Sequence, residues 1–321
     1  MTKIVNFGKS HIAEAKQLIL AGYNEARGAV KSLPQFDNLP DFSEELEDLA
    51  GNVGVVMLDD ATGKMLGFLC YDEPWDDAFG SKASGTFAPI HAHGAIAENR
   101  ATIYKKLYQA AAEKWVAKGA AYHAISLYAH DMQLVNAFFT LGFGLRMIDA
   151  VMPLANFDYE VCEGVSYAEL PKSDAAKIRA MRKSLNAHLG ESPCFVRSSE
   201  ADAKKWLDRA ETRDSRLFVA TMGAELVAYI EVMDDGENFI SDAADDMQNI
   251  CGAFCLPQHR GKGVMQGLLS HVITNLRADG HAALGVDFES FNLSSNGFWL
   301  KYFRPYTYTV VRRIDECAFV K

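Results

Sequence analysis

The chain contains an internal repeat, and a repeat restricts the fold to two copies of one smaller unit. Four pairs of segments recur in the same order at separations of 158 to 163 residues: Lys9-Ser10 with Lys172-Ser173, Gly63 with Gly223, Gly94 with Gly252, and an amphipathic helix at Ile103 with one at Val264. Both helices end at a glycine, Gly119 or Gly280, where a left-handed cap favours that residue. The sequence therefore predicts two copies of one α/β domain, at 1–155 and 160–321.

Each copy is expected to form a mixed sheet with helices on both faces. The apolar segments read as a strand, helices, a strand hairpin, a further strand, a long helix, a strand, a short helix and a closing strand. The hairpin makes the first part of the sheet antiparallel, and the later strand–helix–strand connection makes two neighbouring strands parallel. The predicted fold class is therefore α/β, in the sense of an α+β mixed sheet.

The composition excludes several classes of protein. Acidic residues outnumber basic residues in both halves, with a net charge of −10, which argues against a nucleic-acid partner. No apolar run approaches the roughly 20 residues of a membrane span, and the first residues lack the apolar core of a signal peptide. The 6 cysteines, with no Cys-x-x-Cys pair, are too few for a disulfide scaffold. We expect a cytoplasmic protein with no membrane partner, and its oligomeric state is not predicted.

The segment from Phe254 to Val264 combines an apolar strand, a glycine-rich turn and the start of an amphipathic helix. Backbone N–H groups and the helix dipole at such a helix start attract phosphate groups. Gly261 and Gly263 lack the Cβ that would hold phosphate oxygens away from the backbone. Neither the P-loop spacing nor the dinucleotide fingerprint is present. The segment therefore predicts a pyrophosphate site with Arg260 and Lys262 at its rim.

The wider pattern resembles a known family. Gln258-x-x-Gly261-x-Gly263 matches the Gln/Arg-x-x-Gly-x-Gly/Ala signature of the GNAT superfamily of N-acetyltransferases. Downstream, Val286–Asn292 resembles the fifth strand and frequent asparagine of that family, and Gly297–Phe303 resembles its short fourth helix. The resemblance covers most of 165–321. We therefore expect two tandem GNAT-like acyl-CoA N-acyltransferase domains.

The resemblance implies an enzyme that transfers an acetyl group from acetyl-CoA to the amine of a small molecule or peptide by direct attack, without a metal. The strand around Ala253 would contact the pantetheine arm and place a backbone N–H near the thioester oxygen, and the turn would hold the pyrophosphate. The implied cofactor-binding residues are Ala253, Phe254, Cys255, Gln258, His259, Arg260, Gly261, Lys262, Gly263, Val264 and Asn292.

The resemblance also suggests candidate catalytic residues. Many members of the family carry a tyrosine seven residues after the asparagine, where it protonates the leaving thiolate, but Trp299 occupies that position here. Tyr302 lies one helical turn further along and is the candidate acid, with a packing role as the alternative. Glu289 is the preferred candidate base, and Glu231 is the alternative.

The first copy is expected to have lost the site. The positions equivalent to Gly261 and Gly263 fall on Arg100 and Thr102, and the preceding loop is 3 residues shorter. Side chains at these positions are expected to obstruct a phosphate cradle. We therefore interpret 1–155 as a degenerate domain.

Several other hypotheses remain open at this point. A non-catalytic protein that binds and reports acyl-CoA is one alternative, and a binder of another nucleotide or phosphometabolite is a second. Cys251 or Cys255 is a candidate for a covalent acyl-cysteine, with a buried apolar cysteine as the favoured interpretation. His91 and His93 have no third ligand nearby in the sequence, so no metal site is predicted.

Overall fold

The computed structural model describes residues 1–36, 40–51, 54–155, 157, 159, 162–234, 236 and 238–319. In these residues the strands are β1 (Thr2–Asn6), β2 (Val55–Asp59), β3 (Met65–Leu69), β4 (Gly85–Ala88), β5 (His93–Ala95), β6 (Tyr122–Tyr128), β7 (Gly144–Pro153), β8 (Val165–Leu170), β9 (Arg216–Met222), β10 (Glu225–Met233), β11 (Met247–Cys255), β12 (Ala283–Glu289) and β13 (Arg304–Arg313). The α-helices are α1 (Ile12–Ala29), α2 (Ser43–Gly51), α3 (Arg100–Ala117), α4 (Met132–Thr140), α5 (Arg179–Gly190), α6 (Glu200–Thr212), α7 (Phe239–Asp242), α8 (Val264–Ala278) and α9 (Leu293–Trp299).

The chain divides into two compact units. The first contains residues 1–31, 35–149 and 305–321, and the second contains 32–34 and 150–304. This division crosses the boundaries that the repeat predicts. Strand β13 lies in the predicted copy at 160–321, but it pairs antiparallel with β6 of the first unit. The repeat at 1–155 and 160–321 stays a prediction from the sequence.

The first unit is a mixed α/β structure. β1, β2, β3 and β5 form an antiparallel sheet in that order, while β6 pairs parallel with β4 and antiparallel with β13. Helix α3 buries the apolar stripe that the repeat predicts, because residues three and four apart lie on one helix face. Its buried residues are Ile103, Tyr104, Leu107, Tyr108, Ala111 and Trp115.

Two buried histidines in this unit are held in the neutral form. The ring of His93 donates from Nε2 to the Ser126 carbonyl at 2.7 Å, so its Nδ1 accepts from the Tyr104 hydroxyl, also at 2.7 Å. His123 repeats the arrangement with the Ala120 carbonyl at 3.0 Å and a tyrosine hydroxyl at 2.9 Å. Burial lowers the pKa of both rings from 6.5 to about 4.

These histidines predict a loss of stability in mild acid. As the pH falls below 6.5, His93 and His123 become protonated in the unfolded chain. In the folded protein the same two rings stay neutral until about pH 4. The free energy of unfolding should therefore be highest above pH 6.5 and fall by about 2 kcal/mol per histidine between pH 7 and pH 5. Urea denaturation at both pH values measures the difference, with the double variant His93→Gln and His123→Gln as the control. A free energy that is the same at both pH values would rule out this effect.

The second unit is built on one mixed sheet. β8, β9, β10 and β11 are antiparallel neighbours, and β12 joins β11 in the parallel direction. Helix α8 packs on β8, β9 and β10. Its predicted apolar stripe is buried at Val264, Leu268, Leu269, Val272, Ile273 and Leu276, whereas Met265, also predicted, is only half-buried. The predicted mixed α/β class is therefore confirmed. Among the described helices, none combines the length and apolar character that a membrane span requires.

Candidate functional site

The strands β11 and β12 of the second unit start as a parallel pair and then separate. Their register runs from Met247–Ala283 to Ile250–Val286, and both strands continue beyond it. β11 keeps its pairing with β10 as far as Cys255, with a bulge that interrupts the register next to Glu231. A bulge bends its strand, so β11 follows β10 while its other edge opens.

The open edge of β11 presents backbone hydrogen-bonding groups. The N–H of Leu256 donates to the Val227 carbonyl of the neighbouring strand at 2.9 Å. Since successive residues of a strand alternate in direction, Ala253 and Cys255 direct their N–H and C=O groups to the open side. The Cys255 carbonyl accepts a hydrogen bond there from Arg260 Nε at 2.9 Å.

The turn between β11 and α8 leaves a row of N–H groups without acceptors. Gly261 and Gly263 have φ angles of +71° and +83°, which favour glycine. The first helical bond joins the Gly267 N–H to the Gly263 carbonyl at 2.9 Å. Within the described residues, no N–H from Gly261 to Gln266 donates to a protein acceptor. With the helix dipole, these groups form a site suited to an anion.

Two cavities meet at the gap between β11 and β12. The smaller has a volume of about 270 Å³ and extends along the glycine turn, while the larger, of about 490 Å³, extends toward α5 and α6. Both are lined by Leu185, Ala253, Asn292, Ser295 and Trp299. The smaller cavity, with the anion site, and the larger cavity therefore lie on either side of the gap between β11 and β12.

Most of the predicted cofactor-binding residues lie at the smaller cavity. Its lining includes Ala253, Phe254, Cys255, His259, Arg260, Gly261 and Asn292. Gln258 and Lys262 are exposed in the turn, whereas Gly263 and Val264 are buried at the start of α8. Arg260 differs from the expected rim position, because its guanidinium folds back over the Phe254 ring at 5.2 Å.

The two candidate bases have different environments. Glu289 is half-buried, lines the larger cavity, and its carboxylate has no hydrogen bond or ion pair within the described residues. Glu231 is fully buried, with Arg182 at 2.9 Å and Arg213 at 2.7 Å. Burial raises the pKa of Glu231, but the Arg213 hydrogen bond and charge, with hydrogen bonds from Ser215 and Arg182, bring it below the ordinary value. The geometry therefore favours Glu289.

The structure gives no support to Tyr302 as an acid. Its ring lies edge-on to Phe157 at 5.1 Å and to Phe298 at 5.3 Å, and it lines neither cavity. Trp299, by contrast, is buried and lines both. The prediction of a short helix over Gly297–Phe303 was wrong, because α9 ends at Trp299 and Tyr302 lies in the turn that follows. Its contacts match the alternative in which Tyr302 has a packing role.

Both cysteines of β11 are poorly suited to covalent catalysis. Burial raises the pKa of Cys251 to about 12 and also raises the pKa of Cys255 above its ordinary value. A thiolate is the nucleophilic form of cysteine, so neither side chain has the ionisation that an acyl-cysteine route requires.

Sequence reasoning missed a polar contact between α5 and α9. His188 Nε2 lies 3.3 Å from Ser294 Oγ, which donates to Asn292 Oδ1 at 2.9 Å. Asn292 also caps α9 by accepting from the Ser295 N–H at 3.4 Å. All of these residues line the smaller cavity. No motif contains His188, because it reaches the cavity only through the packing of α5.

The region of the first unit that the predicted repeat aligns with the glycine turn is filled by side chains. Arg100, at the start of α3, forms ion pairs with Glu25 at 2.7 Å and Asp131 at 3.1 Å. The cavity beside it has a volume of only about 30 Å³. His91 stacks on Phe42 at 5.2 Å. In the described part of the chain, no cluster of three metal-ligating side chains is found.

Comparisons with known proteins bear on the fold and on the family of one segment. No curated protein matches the sequence. A GCN5-related N-acetyltransferase from Sphaerobacter thermophilus shares the fold with a TM-score of 0.60 at 14% identity, over 97% of this chain and 95% of that chain. A glucosamine N-acetyltransferase region of a fungal multi-domain β-N-acetylglucosaminidase gives a TM-score of 0.54 at 13% identity, over 97% of this chain and 38% of that chain. Residues 183–303 match the model of the acetyltransferase (GNAT) family. The chain therefore carries a GNAT-family acetyltransferase domain at residues 183–303.

Proposed function

We propose that the chain is an acetyl-CoA-dependent N-acetyltransferase that acts on the amine of a small molecule or peptide through its C-terminal half. One observation carries the proposal: the unbonded N–H groups from Gly261 to Gln266 lie beside the open edge of β11, within a GNAT domain. An anion site next to an open strand edge suits a long cosubstrate with a pyrophosphate and an amide-containing arm.

The residues of the smaller cavity fit acetyl-CoA. The N–H groups of Gly261 to Val264 would hold the pyrophosphate, where an added Cβ at Gly261 would occupy the open space that the phosphate needs. The outward N–H and C=O groups of Ala253 and Cys255 would bind the amides of the pantetheine arm. Fixed backbone donors lose little entropy on binding because the sheet already orders them.

Acetyl-CoA supplies a thioester, so the amine nitrogen bonds to its carbonyl carbon and the carbon–sulfur bond breaks. CoA leaves as a thiolate with the electron pair of that bond and takes up a proton from water. Glu289 accepts the proton of the amine, directly or through a water molecule. A backbone N–H on the open edge near Ala253 stabilises the negative charge that develops on the carbonyl oxygen. The acceptor attacks from the larger cavity, so the two substrates lie on opposite sides of the gap between β11 and β12.

Amine-dependent release of CoA tests this function directly. The protein is mixed with acetyl-CoA and a panel of amines, and the free thiol and the acetylated product are measured. We expect thiol release that depends on an amine and matches the amount of product. Binding of acetyl-CoA without turnover of any amine would instead favour a non-catalytic acyl-CoA sensor. Thermal stabilisation by ATP or NAD but not by CoA would favour another nucleotide.

Replacing Gly261 with valine should weaken acetyl-CoA binding by about tenfold or more. A β-branched residue resists a φ of +71°, at a cost of about 1–3 kcal/mol, and its side chain enters the phosphate site. Gly223→Val is the matched control, because Gly223 has a φ of +60° and equal open space in the turn between β9 and β10. Calorimetry should show weaker binding only for the Gly261 variant, and unchanged affinity in that variant would exclude the turn as the site.

A further inference from the structure

The larger cavity contains two charged side chains that the protein leaves without partners. Glu289 lines it at the end of β12, and Arg209 lines it from α6. Glu289 is half-buried and Arg209 is exposed, and neither side chain has a hydrogen bond or ion pair within the described residues. A cavity with one unpaired anion and one unpaired cation is complementary to a ligand that carries both charges.

Arg209 differs in this respect from four other arginines of the second unit. Arg179 is bound by Asp208 and Glu211 at 3.0 and 2.6 Å. Arg182 and Arg213 share the buried Glu231, and Arg216 is bound by Glu169 and Asp279. Each of these arginines therefore forms an ion pair with a carboxylate of the chain. The guanidinium of Arg209, on the wall of the larger cavity, is available to a carboxylate of the ligand.

The other carboxylates of the cavity are already engaged. Asp202 accepts from the Ser199 hydroxyl at 2.6 Å and lies 3.9 Å from Lys205 Nζ. Asp287 also interacts with protein groups. Asp202, Trp206 and Arg209 lie three or four residues apart on α6 and so share one helix face. That face offers a ligand an aromatic surface next to the free guanidinium.

The remaining walls are mixed, with polar residues such as Asn186 and Ser198 beside apolar ones. Leu189, Val196, Ile250 and Phe288 line the same space, and Trp299 lies where it meets the smaller cavity. An apolar body therefore fits between the two charged ends. A guanidinium recognises a carboxylate through paired N–H donors, and the unpaired Glu289 is available to a protonated amine.

From this arrangement, and on the basis of the proposed acetyl transfer, we propose that the acceptor is an apolar amino acid: a small amine that also carries a carboxylate and an apolar body. Its carboxylate binds Arg209, its apolar part contacts Trp206, and its amine faces Glu289 at the gap between β11 and β12. Arg209 is a specificity-determining residue in this arrangement.

Pairs of acceptors with and without a carboxylate test the proposal. The pairs are L-phenylalanine with 2-phenylethylamine, L-leucine with 3-methylbutylamine, and 6-aminohexanoate with hexylamine, and kcat/KM is measured for each. We expect at least one pair in which the carboxylate raises kcat/KM by tenfold or more. In Arg209→Met this preference should fall at least tenfold, while the control Lys204→Met on an exposed part of the same helix keeps it.

Three outcomes overturn the inference. The carboxylate gives no advantage in any pair, the preference survives in Arg209→Met, or acetyl-CoA binds while only amines of another class, such as an amino sugar, are acetylated. Each leaves the proposed acetyl transfer intact if calorimetry shows acetyl-CoA binding and some amine releases CoA. Absence of acetyl-CoA binding would instead remove the proposed function itself.

Discussion

Replacing Glu289 with glutamine is expected to lower kcat by about 10²- to 10⁴-fold, the usual effect of removing a general base. The carboxylate lines the larger cavity at the end of β12 and has no partner within the described residues that competes for an incoming proton. Glutamine keeps the shape of the side chain but accepts no proton at neutral pH. Steady-state rates with an amine acceptor measure the loss, and calorimetry should show nearly unchanged affinity for acetyl-CoA.

Two further variants test whether the loss of kcat is specific to Glu289. Glu225→Gln removes an exposed carboxylate from the start of β10 and should leave kcat unchanged. Tyr302→Phe should change kcat by less than about threefold, well below the usual effect of losing a general acid, because the ring packs against Phe157 and Phe298. A normal rate in Glu289→Gln would assign the proton transfer to another group, and a large loss in Tyr302→Phe would restore the tyrosine as the acid.

Replacing Glu231 with glutamine should reduce the free energy of unfolding by about 3–5 kcal/mol, the typical effect of removing one partner from a buried ion pair. Arg182 and Glu231 are both 1% exposed, and Arg213 lies 2.7 Å from the same carboxylate. Glutamine would leave two guanidinium groups without a counter-charge. Since the pKa of Glu231 lies below its ordinary value of 4.5, the wild-type contribution is present above that pH and is lost as the pH falls further.

Urea denaturation at pH 7 measures this difference, and Glu169→Gln is the matched control. Glu169 also binds an arginine, Arg216, at 2.8 Å, but its side chain is 36% exposed. Exposed pairs contribute about 0–1 kcal/mol, so the control should have nearly wild-type stability. Equal stability of both variants would contradict a structural role for Glu231 and revive it as a catalytic candidate.

The sequence could predict the features that local patterns determine. The stripe on α8 follows from 3.6-residue periodicity, and its members are buried as expected except for the half-buried Met265. Gly261 and Gly263 indicated the positive φ angles of the turn, because residues other than glycine rarely adopt such angles. The predicted residues of β11 line the smaller cavity because the strand and turn are continuous in sequence.

Features that depend on long-range packing could not be predicted in the same way. The pairing of β13 with β6 joins segments nearly 180 residues apart, for example Thr307 with Tyr128. The periodicity of apolar residues along a strand does not indicate which distant strand will pair with it. Arg209 and His188 reach the cavities only through the placement of α5 and α6. For Tyr302, helical spacing was the wrong guide because α9 ends at Trp299, and the ring packs against Phe157 and Phe298 instead.

A calorimetric titration of the full chain with acetyl-CoA tests the central claim most directly. One equivalent should bind per chain, because the turn from Gly261 to Gln266 offers unbonded N–H groups, whereas Arg100 fills the equivalent place in the first unit with its ion pairs to Glu25 and Asp131. No binding would contradict the assignment of the glycine turn as a cosubstrate site, and two equivalents per chain would contradict the loss of the site from the first unit.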